Sequence, residues 1–463
     1  MSAADTAGAP QGTDRAGPAD GPDGADGGRW CVIGAGPAGL TTAKNLRELG
    51  IAFDVVERRE GLGGIWRYGE PGSSVYASTT MISSRRLIEF RGFPMARTGL
   101  PYPTHHEVLA YLRRYADHHD LARHIEYGRG ATAVRRTADG WTVTFADGSR
   151  RRYRGVVVAT GHHWDPKYPA YPGDFAGTVL HSAHYRTPEV FLGRRVLVVG
   201  GGNSGSDIAV EAARTAARTL HSTRHGCHYL PKFFCGLPTD EITGALERRR
   251  APRWLQRAVR GAMSRLVFGD PARLALPRPA HRTGQGRTVL NSEIVHQVAN
   301  GAVLPRPGVA ELLGDRVRFT DGTVERVDVI VYATGFRTGV PVEGALSGAR
   351  GPVPLHLRHP EHEDLFFVGH IQPSGGAWQL FDDQAAAVAR IIAADRLGEA
   401  ARTAVRRALE RHARTGYVPP GPGGTRGDPL KVDLHRYGRV LARLRRDLDS
   451  VLTRTATGKA ASS

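Results

Sequence analysis

Cysteine is nearly missing: Cys31, Cys227 and Cys235 are the only three in 463 residues. So few exclude a disulfide framework and fit a reducing, cytoplasmic compartment. Cys227 and Cys235 stand eight apart with no C-x-x-C, so neither a dithiol centre nor a zinc site is supported, and no metal is expected. No run of 18 apolar residues exists, which excludes a membrane-spanning helix. Residues 1–28 hold hardly an aliphatic side chain. They lack the apolar segment of a signal peptide and read as a disordered tail. Lysine is scarce as well, at 44, 167, 232, 431 and 459 only, so the net charge of +18 is nearly all arginine. Those arginines are scattered among Ala and Gly, which reads as compositional bias and not as a nucleic-acid interface. A basic surface still draws anionic substrates and cofactors.

Glycine, by contrast, is plentiful at 58, and its placement organises the chain. The apolar run from Trp30 opens into Gly34-Ala35-Gly36-Pro37-Ala38-Gly39, then a helical pattern from Leu40 to Leu49 stopped by Gly50. A second apolar run, Phe53 to Val56, ends on Glu57-Arg58, placing the acid 18 residues past Gly39. This is strand, tight turn, helix, strand and acid, the register of a dinucleotide site. Gly34 makes the turn, Gly36 admits a pyrophosphate and Gly39 lets helix and strand approach. The helix N-terminus faces the phosphates, and Glu57 would accept hydrogen bonds from ribose hydroxyls.

The device recurs. Arg195 to Val199 leads into Gly200, Gly202 and Gly205 with Asn203 and Ser204 between them, and Ser206 to Ala217 follows as a helix. Thr219 to Arg224 is the next strand. Counting 18 from Gly205 reaches Thr223, so Ser222, Thr223 and Arg224 stand where the first copy has its acid. A carboxylate there would repel a 2′-phosphate, whereas hydroxyls and a guanidinium would bind one. The first site therefore suits the adenosine of FAD and the second suits NADPH over NADH; Arg224 otherwise reads as an ordinary surface arginine.

The repeat continues: Val143 to Gly161 matches Val317 to Gly335 over 19 residues, each with a D-G hairpin turn and an A-T-G exit. Two such units predict an α/β chain with two dinucleotide-binding, Rossmann-like domains. With no third fingerprint after Gly335, the remainder should return to the first. The expected layout is a first FAD part at 29–172, an inserted NADPH domain at 173–335, a second FAD part at 336–454 with a C-terminal helix, and a tail at 455–463.

Between the copies Phe175, Gly177, His181 and Tyr185 form F-x-G-x-x-x-H-x-x-x-Y. With two fingerprints at this spacing, the chain resembles the flavin-containing monooxygenases from about residue 29 to 455. Further family-like pieces are Gly63-Gly64-Ile65-Trp66, Ala159-Thr160-Gly161, Asn291-Ser292-Glu293, Ala333-Thr334-Gly335-Phe336 and Phe381-Asp382-Asp383-Gln384. The resemblance implies that NADPH reduces FAD and that the reduced flavin takes up O2 as a C4a-(hydro)peroxyflavin. One oxygen then passes to the nitrogen or sulfur of a small molecule. It also implies that Gly64, Ile65, Trp66, Thr160, Gly161, Gly369 and Gln384 lie against FAD, and Thr334 and Gly335 against NADP. His181 is expected at the domain junction or as a satisfied core histidine.

Two departures bear on the chemistry. Tyr185-Arg186 replaces the Trp with following Pro or Asp of Baeyer–Villiger enzymes, which favours nitrogen or sulfur oxidation with ketone oxidation as the alternative. Ile82 stands where the family usually carries an asparagine beside the flavin, and isoleucine cannot hydrogen-bond a peroxide. Either Thr79, Thr80, Ser83 or Ser84 supplies that bond, or the enzyme leaks H2O2 as an NADPH oxidase. A non-enzymatic nucleotide-binding redox sensor is the remaining reading. Asn291 is either a polar group near the flavin or a helix cap.

The other stretches read as follows. Thr104 to Ala116 is a helix with Thr104 and Glu107 as its capping box. His105-His106 and His118-His119 decorate helix ends and surfaces. Pro231 to His281 is an insertion, helical from Trp254 to Phe268, whose Leu, Val, Met and Trp form core, cover the site or make an oligomer surface, leaving a homodimer open. Thr288 to Asn300 reads as a helix and Glu363 to Gly369 as a strand. Trp66 and Trp378 either wall the site or pack a loop. Residues 418–428 are a Pro/Gly-rich linker, and Leu434 to Leu452 is an amphipathic helix.

Overall fold

The computed structural model describes residues 28–97, 99–279, 288–345, 353–373, 375–418 and 430–460. The expected tail at 1–28 (save Gly28), the linker at 418–428 (save Val418) and residues 461–463 lie outside them.

Two parallel five-stranded sheets organise the chain. The first runs, edge to edge, Leu365–Phe367, Gly155–Val158, Trp30–Ile33, Phe53–Val56 and Ile125–Glu126. The second runs Val303–Arg306, Arg218–Ser222, Arg195–Val199, Val329–Tyr332 and Thr178–His181. The chain thus leaves the first sheet after Val158, builds the whole second sheet, and returns at Leu365. The Val/Ile-rich strands alternate strictly between two apolar layers. Trp30, Val32, Val55, Val157 and Phe366 face the helical layer, while Cys31, Ile33, Val56, Val156 and Phe367 face the antiparallel strands Ala131–Thr137, Gly140–Phe145 and Arg150–Tyr153. The second sheet repeats this, Val196, Val198, Val329 and Val331 on one side and Leu197, Val199, Ile330 and Tyr332 on the other. Cys31 is wholly buried, and burial raises its thiol pKa, so it is inert core.

The helical layer of the first sheet combines Pro37–Glu48 with Trp378–Asp395 and Leu434–Ala460. Asp382 ties two of them, accepting from Thr41 Oγ1 at 2.6 Å and Asn45 Nδ2 at 3.0 Å. The last helix runs to Ala460, six residues beyond the Arg454 at which the tail was expected. The helix His105–His118 starts on the expected reciprocal capping box. His105, however, is 1% exposed, with Nε2 3.2 Å from Ala77 O, and so belongs to the core and not the surface. Thr288–Leu290 is a strand paired with His228–Leu230, and the helix begins only at Glu293. Short β-branched apolar runs carry no decisive period, and here strand pairing wins.

His356, 7% exposed, is wedged between the rings of Tyr417 and Tyr437, and burial lowers its pKa from 6.5 to about 4. The unfolded chain binds this proton below 6.5, whereas the folded form resists it until about 4. Stability is therefore full above the first value and falls between the two, by about 3 kcal/mol for this group. Thermal unfolding followed from neutral to acid pH should show that slope, and His356→Phe should flatten it.

Candidate active site

Each sheet carries one glycine cradle, and the two are built by the same contacts. Gly34 N donates to Val56 O at 2.8 Å and Ala159 N to Ile33 O at 2.9 Å; in the second copy Gly200 N donates to Ser222 O at 3.0 Å and Ala333 N to Val199 O at 2.8 Å. Gly34 (φ 107°) and Gly200 (φ 136°) occupy backbone regions that side chains avoid. A Cβ on Gly39 would lie 1.7 Å from Gly34 O, and one on Gly205 would lie 2.0 Å from Gly200 O. Gly36 and Gly202 are the N-caps of the helices Pro37–Glu48 and Asn203–Thr215, with no side chain capping the amides. Those free N–H groups are what an anionic pyrophosphate requires.

Around the first cradle the structure gathers most of the residues expected there. Glu57 is 5% exposed, and its carboxylate accepts from Ala35 N at 2.7 Å and Arg59 N at 3.0 Å. It therefore fixes the glycine loop as well as presenting an acid. The turn Gly64–Trp66 packs on the loop, with Gly63 N donating to Ala35 O at 2.9 Å. Gly369 (φ 80°) meets the start of the same helix, since a Cβ there would lie 2.6 Å from Ala38 Cβ. Thr160 and Gly161 leave the neighbouring strand end, and Arg58 stays exposed. Arg59, unnoticed in the sequence, is 9% exposed with Nη2 buried and without a hydrogen-bond partner among the described residues; burial and the adjacent Arg58 lower its pKa. An orphaned guanidinium nitrogen beside Glu57 fits an anionic or polar cofactor edge.

Gln384 does not lie on this crevice. Its Oε1 accepts from Gly369 N at 2.9 Å, and Nε2 donates to His356 O at 3.2 Å and Tyr437 Oη at 2.9 Å. Both amide hydrogens are used within the protein and the side chain is fully buried, so its visible work is to position Gly369. Trp378, stacked on Phe90 at 5.4 Å and 6.3 Å from Trp66, is core packing, with Trp66 nearer the loop.

At the second cradle Asn203 Oδ1 accepts from Leu290 N at 3.0 Å, and Ser204 is exposed on the first helical turn. Ser222 Oγ donates to Pro307 O at 2.6 Å, which removes its hydrogen from any phosphate. Thr223 is buried, and Arg224 is exposed with no ion-pair partner among the described residues. Thr334 Oγ1 donates to Lys167 O. Buried His181 accepts from Ala183 N at Nδ1 (3.1 Å) and so donates from Nε2 to Gly335 O (3.1 Å), tying the strand Thr178–His181 to the A-T-G exit. Burial lowers its pKa, which keeps this neutral pairing. Tyr185 Oη donates to Glu211 Oε2, its ring stacked on Phe191, while Gly177 and Phe175 set the turn before this strand.

The segment after Trp66 is strapped onto the second sheet's elements. Tyr76 Oη donates to Asp207 Oδ2 (3.0 Å), Lys232 Nζ to Thr80 Oγ1 (2.8 Å) and Ser84 N to Asp240 Oδ2 (2.5 Å). Thr79 Oγ1 accepts from Tyr76 N at 2.8 Å, leaving its hydrogen free, and Ser83 and Ser84 are buried, Ser84 Oγ with no partner among the described residues. Ile82 is 48% exposed. Asn291 is not among these groups: its Oδ1 accepts from Glu293 N and Ile294 N, both at 2.8 Å, and Nδ2 donates to Asp207 at 2.6 Å. It caps a helix. Among the described residues no His/Cys/Asp/Glu group could hold a metal, and no helix is long and apolar enough to cross a membrane.

A family profile described as "FMO-like: Flavin-binding monooxygenase-like" matches residues 27–401. Dimethylaniline monooxygenase [N-oxide-forming] 2 of Macaca mulatta is 32% identical over 391 residues, 78% of this chain and 72% of that one. The S-allyl-L-cysteine S-oxygenase structure from Allium sativum has a TM-score of 0.61 at 22% identity, covering 94% of this chain and 93% of that one. Cyclohexanone monooxygenase from Rhodococcus sp. Phi1, bound to NADP+, has a TM-score of 0.66 at 19% identity, covering 92% and 97%. The chain belongs to the flavin-binding monooxygenase-like family, oxidoreductases that bind FAD and depend on NADPH.

Proposed function

We propose that this chain oxidises the nitrogen or sulfur of a small molecule, with FAD in the crevice at Gly34, Gly36 and Gly39 and NADPH in the one at Gly200, Gly202 and Gly205. The observation that carries the reading is the pair of cradles built by matching contacts, one beside a buried carboxylate, Glu57, and the other beside an exposed guanidinium, Arg224, with no ion-pair partner among the described residues. Reduced flavin supplies the electron pair that splits O2, one oxygen going to the substrate and the other leaving as water. The protein binds and orients: the helix N-termini take the pyrophosphates, Glu57 the ribose, Arg59 the anionic edge, Arg224 and Thr223 the 2′-phosphate. Thr79, Thr80 and Ser84 offer hydroxyl hydrogens near the flavin side, and the strapped segment 73–84 excludes water. The unit boundaries are placed at about 173 and 335, both within the stretch between Val158, where the chain leaves the first sheet, and Leu365, where it returns.

The macaque relative, an N-oxide-forming monooxygenase by name, favours nitrogen oxidation. The shared fold does not separate sulfur oxygenation from ketone oxidation, since both chemistries occur among its structural neighbours. Exposed Ile82 favours a second reading, an NADPH oxidase, because no carboxamide stands at that position. A tertiary amine, a thioether and a cyclic ketone should each be incubated with enzyme, NADPH and isotopically labelled O2. We expect labelled N-oxide or S-oxide matching the NADPH consumed. Labelled ester would decide for ketone oxidation. H2O2 equal to NADPH with every substrate would decide for the oxidase.

A further inference from the structure

The helix Arg253–Phe268 presents its apolar side outward. Its inward face buries Met263 and Phe268 and pairs Arg260 with Glu247. Trp254, Ala258, Ala262 and Leu266 recur once per turn on the opposite face, all exposed, with Trp254 at 64% and Leu266 at 75%. Leu255 and Val259 stand half exposed beside them. The sequence expectation that this helix's large apolar side chains form core therefore fails for Trp254 and Leu266. A water-facing apolar stripe running from Trp254 to Leu266 is costly unless something covers it.

The surrounding charge identifies the cover. Arg248, Arg249 and Arg250 are exposed just before the helix, and Arg253, Arg257 and Arg265 flank the stripe. None of these six has an ion-pair partner among the described residues, in contrast to Arg260. We propose that this face docks the protein on an anionic phospholipid surface, Trp254 and Leu266 entering the headgroup boundary and the arginines pairing with lipid phosphates. A second copy is a poor occupant, because the two-fold contact would bring both arginine sets together. The acidic segment 1–27 is a poor one too: it offers Asp5, Asp14, Asp20, Asp23 and Asp26 but no Leu, Ile, Val or Phe to fill the stripe. The arrangement lies flat on the bilayer and needs no spanning helix.

Full-length protein should be sedimented with vesicles of phosphatidylcholine alone and of phosphatidylcholine with phosphatidylglycerol, at low and high salt. Binding should require phosphatidylglycerol, weaken with salt, and shift tryptophan emission to the blue, a shift missing in Trp254→Gln. Leu266→Gln, on an exposed position, should unfold at the wild-type temperature yet bind about tenfold more weakly. Arg249→Ala and Arg250→Ala should each cost about fivefold. Absence of binding, equal binding to both vesicles, or binding unchanged in Leu266→Gln would overturn the proposal. So would a concentration-dependent dimer that Leu266→Gln dissociates, which would make a second copy the occupant.

Discussion

Gly39→Ala protein is expected to purify colourless, while Gly205→Ala purifies yellow and is not reduced by NADPH. A methyl on Gly39 would sit 1.7 Å from the backbone oxygen of Gly34, well inside any contact real atoms make. The obstacle is main chain and cannot rotate away, so loop and helix must part by about an ångström or more. That displaces the N–H groups of the helix start and strains Glu57's bond to Ala35 N, 2.7 Å long in the wild type. Retained FAD should fall below about a hundredth of wild type, because positioned donors lose most of their worth over such a shift. The same substitution at 205 meets Gly200 O at 2.0 Å, in a crevice belonging to the other sheet. Visible absorbance of the purified variants, followed by anaerobic mixing with NADPH, reads both effects. A yellow Gly39→Ala protein, or normal NADPH reduction in Gly205→Ala, would show that the cradles are wrongly assigned.

Arg224→Ala should raise the KM for NADPH about 10- to 100-fold and leave that for NADH within about twofold, the range expected for losing a charge-assisted phosphate contact. Its stem is held where a Cβ on Gly308 would meet Cγ at 3.2 Å, so the guanidinium projects from a packed base. Ser222 is spoken for by Pro307 O, which concentrates phosphate recognition on Arg224. Initial rates with both nucleotides suffice. An unchanged preference would return Arg224 to the ordinary surface.

Much of this was legible in the residues because backbone demands select them directly. Gly34, Gly39, Gly200 and Gly205 stand where a side chain is strained or blocked, and the alternating strands Trp30–Ile33 and Arg195–Val199 follow from burial on both faces. The Thr104–Glu107 capping box is equally local. What sequence could not decide is where a polar side chain spends its hydrogen bonds. Gln384 and Asn291 carry the residue types of a site yet serve Gly369 N and a helix N-terminus, and those partners lie 15 residues or two to three residues away with nothing in the pattern to choose between them and a ligand. Arg59 escaped notice because a chain rich in arginine hides a buried one among many exposed ones. For the helix Arg253–Phe268, large apolar side chains read as core by default, and only the packed neighbours reveal that Trp254 and Leu266 point to water.

The most direct measurement is an anaerobic titration of the purified protein with NADPH, watched in the flavin absorbance band. We predict a yellow protein bleached by one equivalent of NADPH per bound flavin, with its colour restored by air. A colourless protein that neither binds added FAD nor oxidises NADPH would contradict the account at its root.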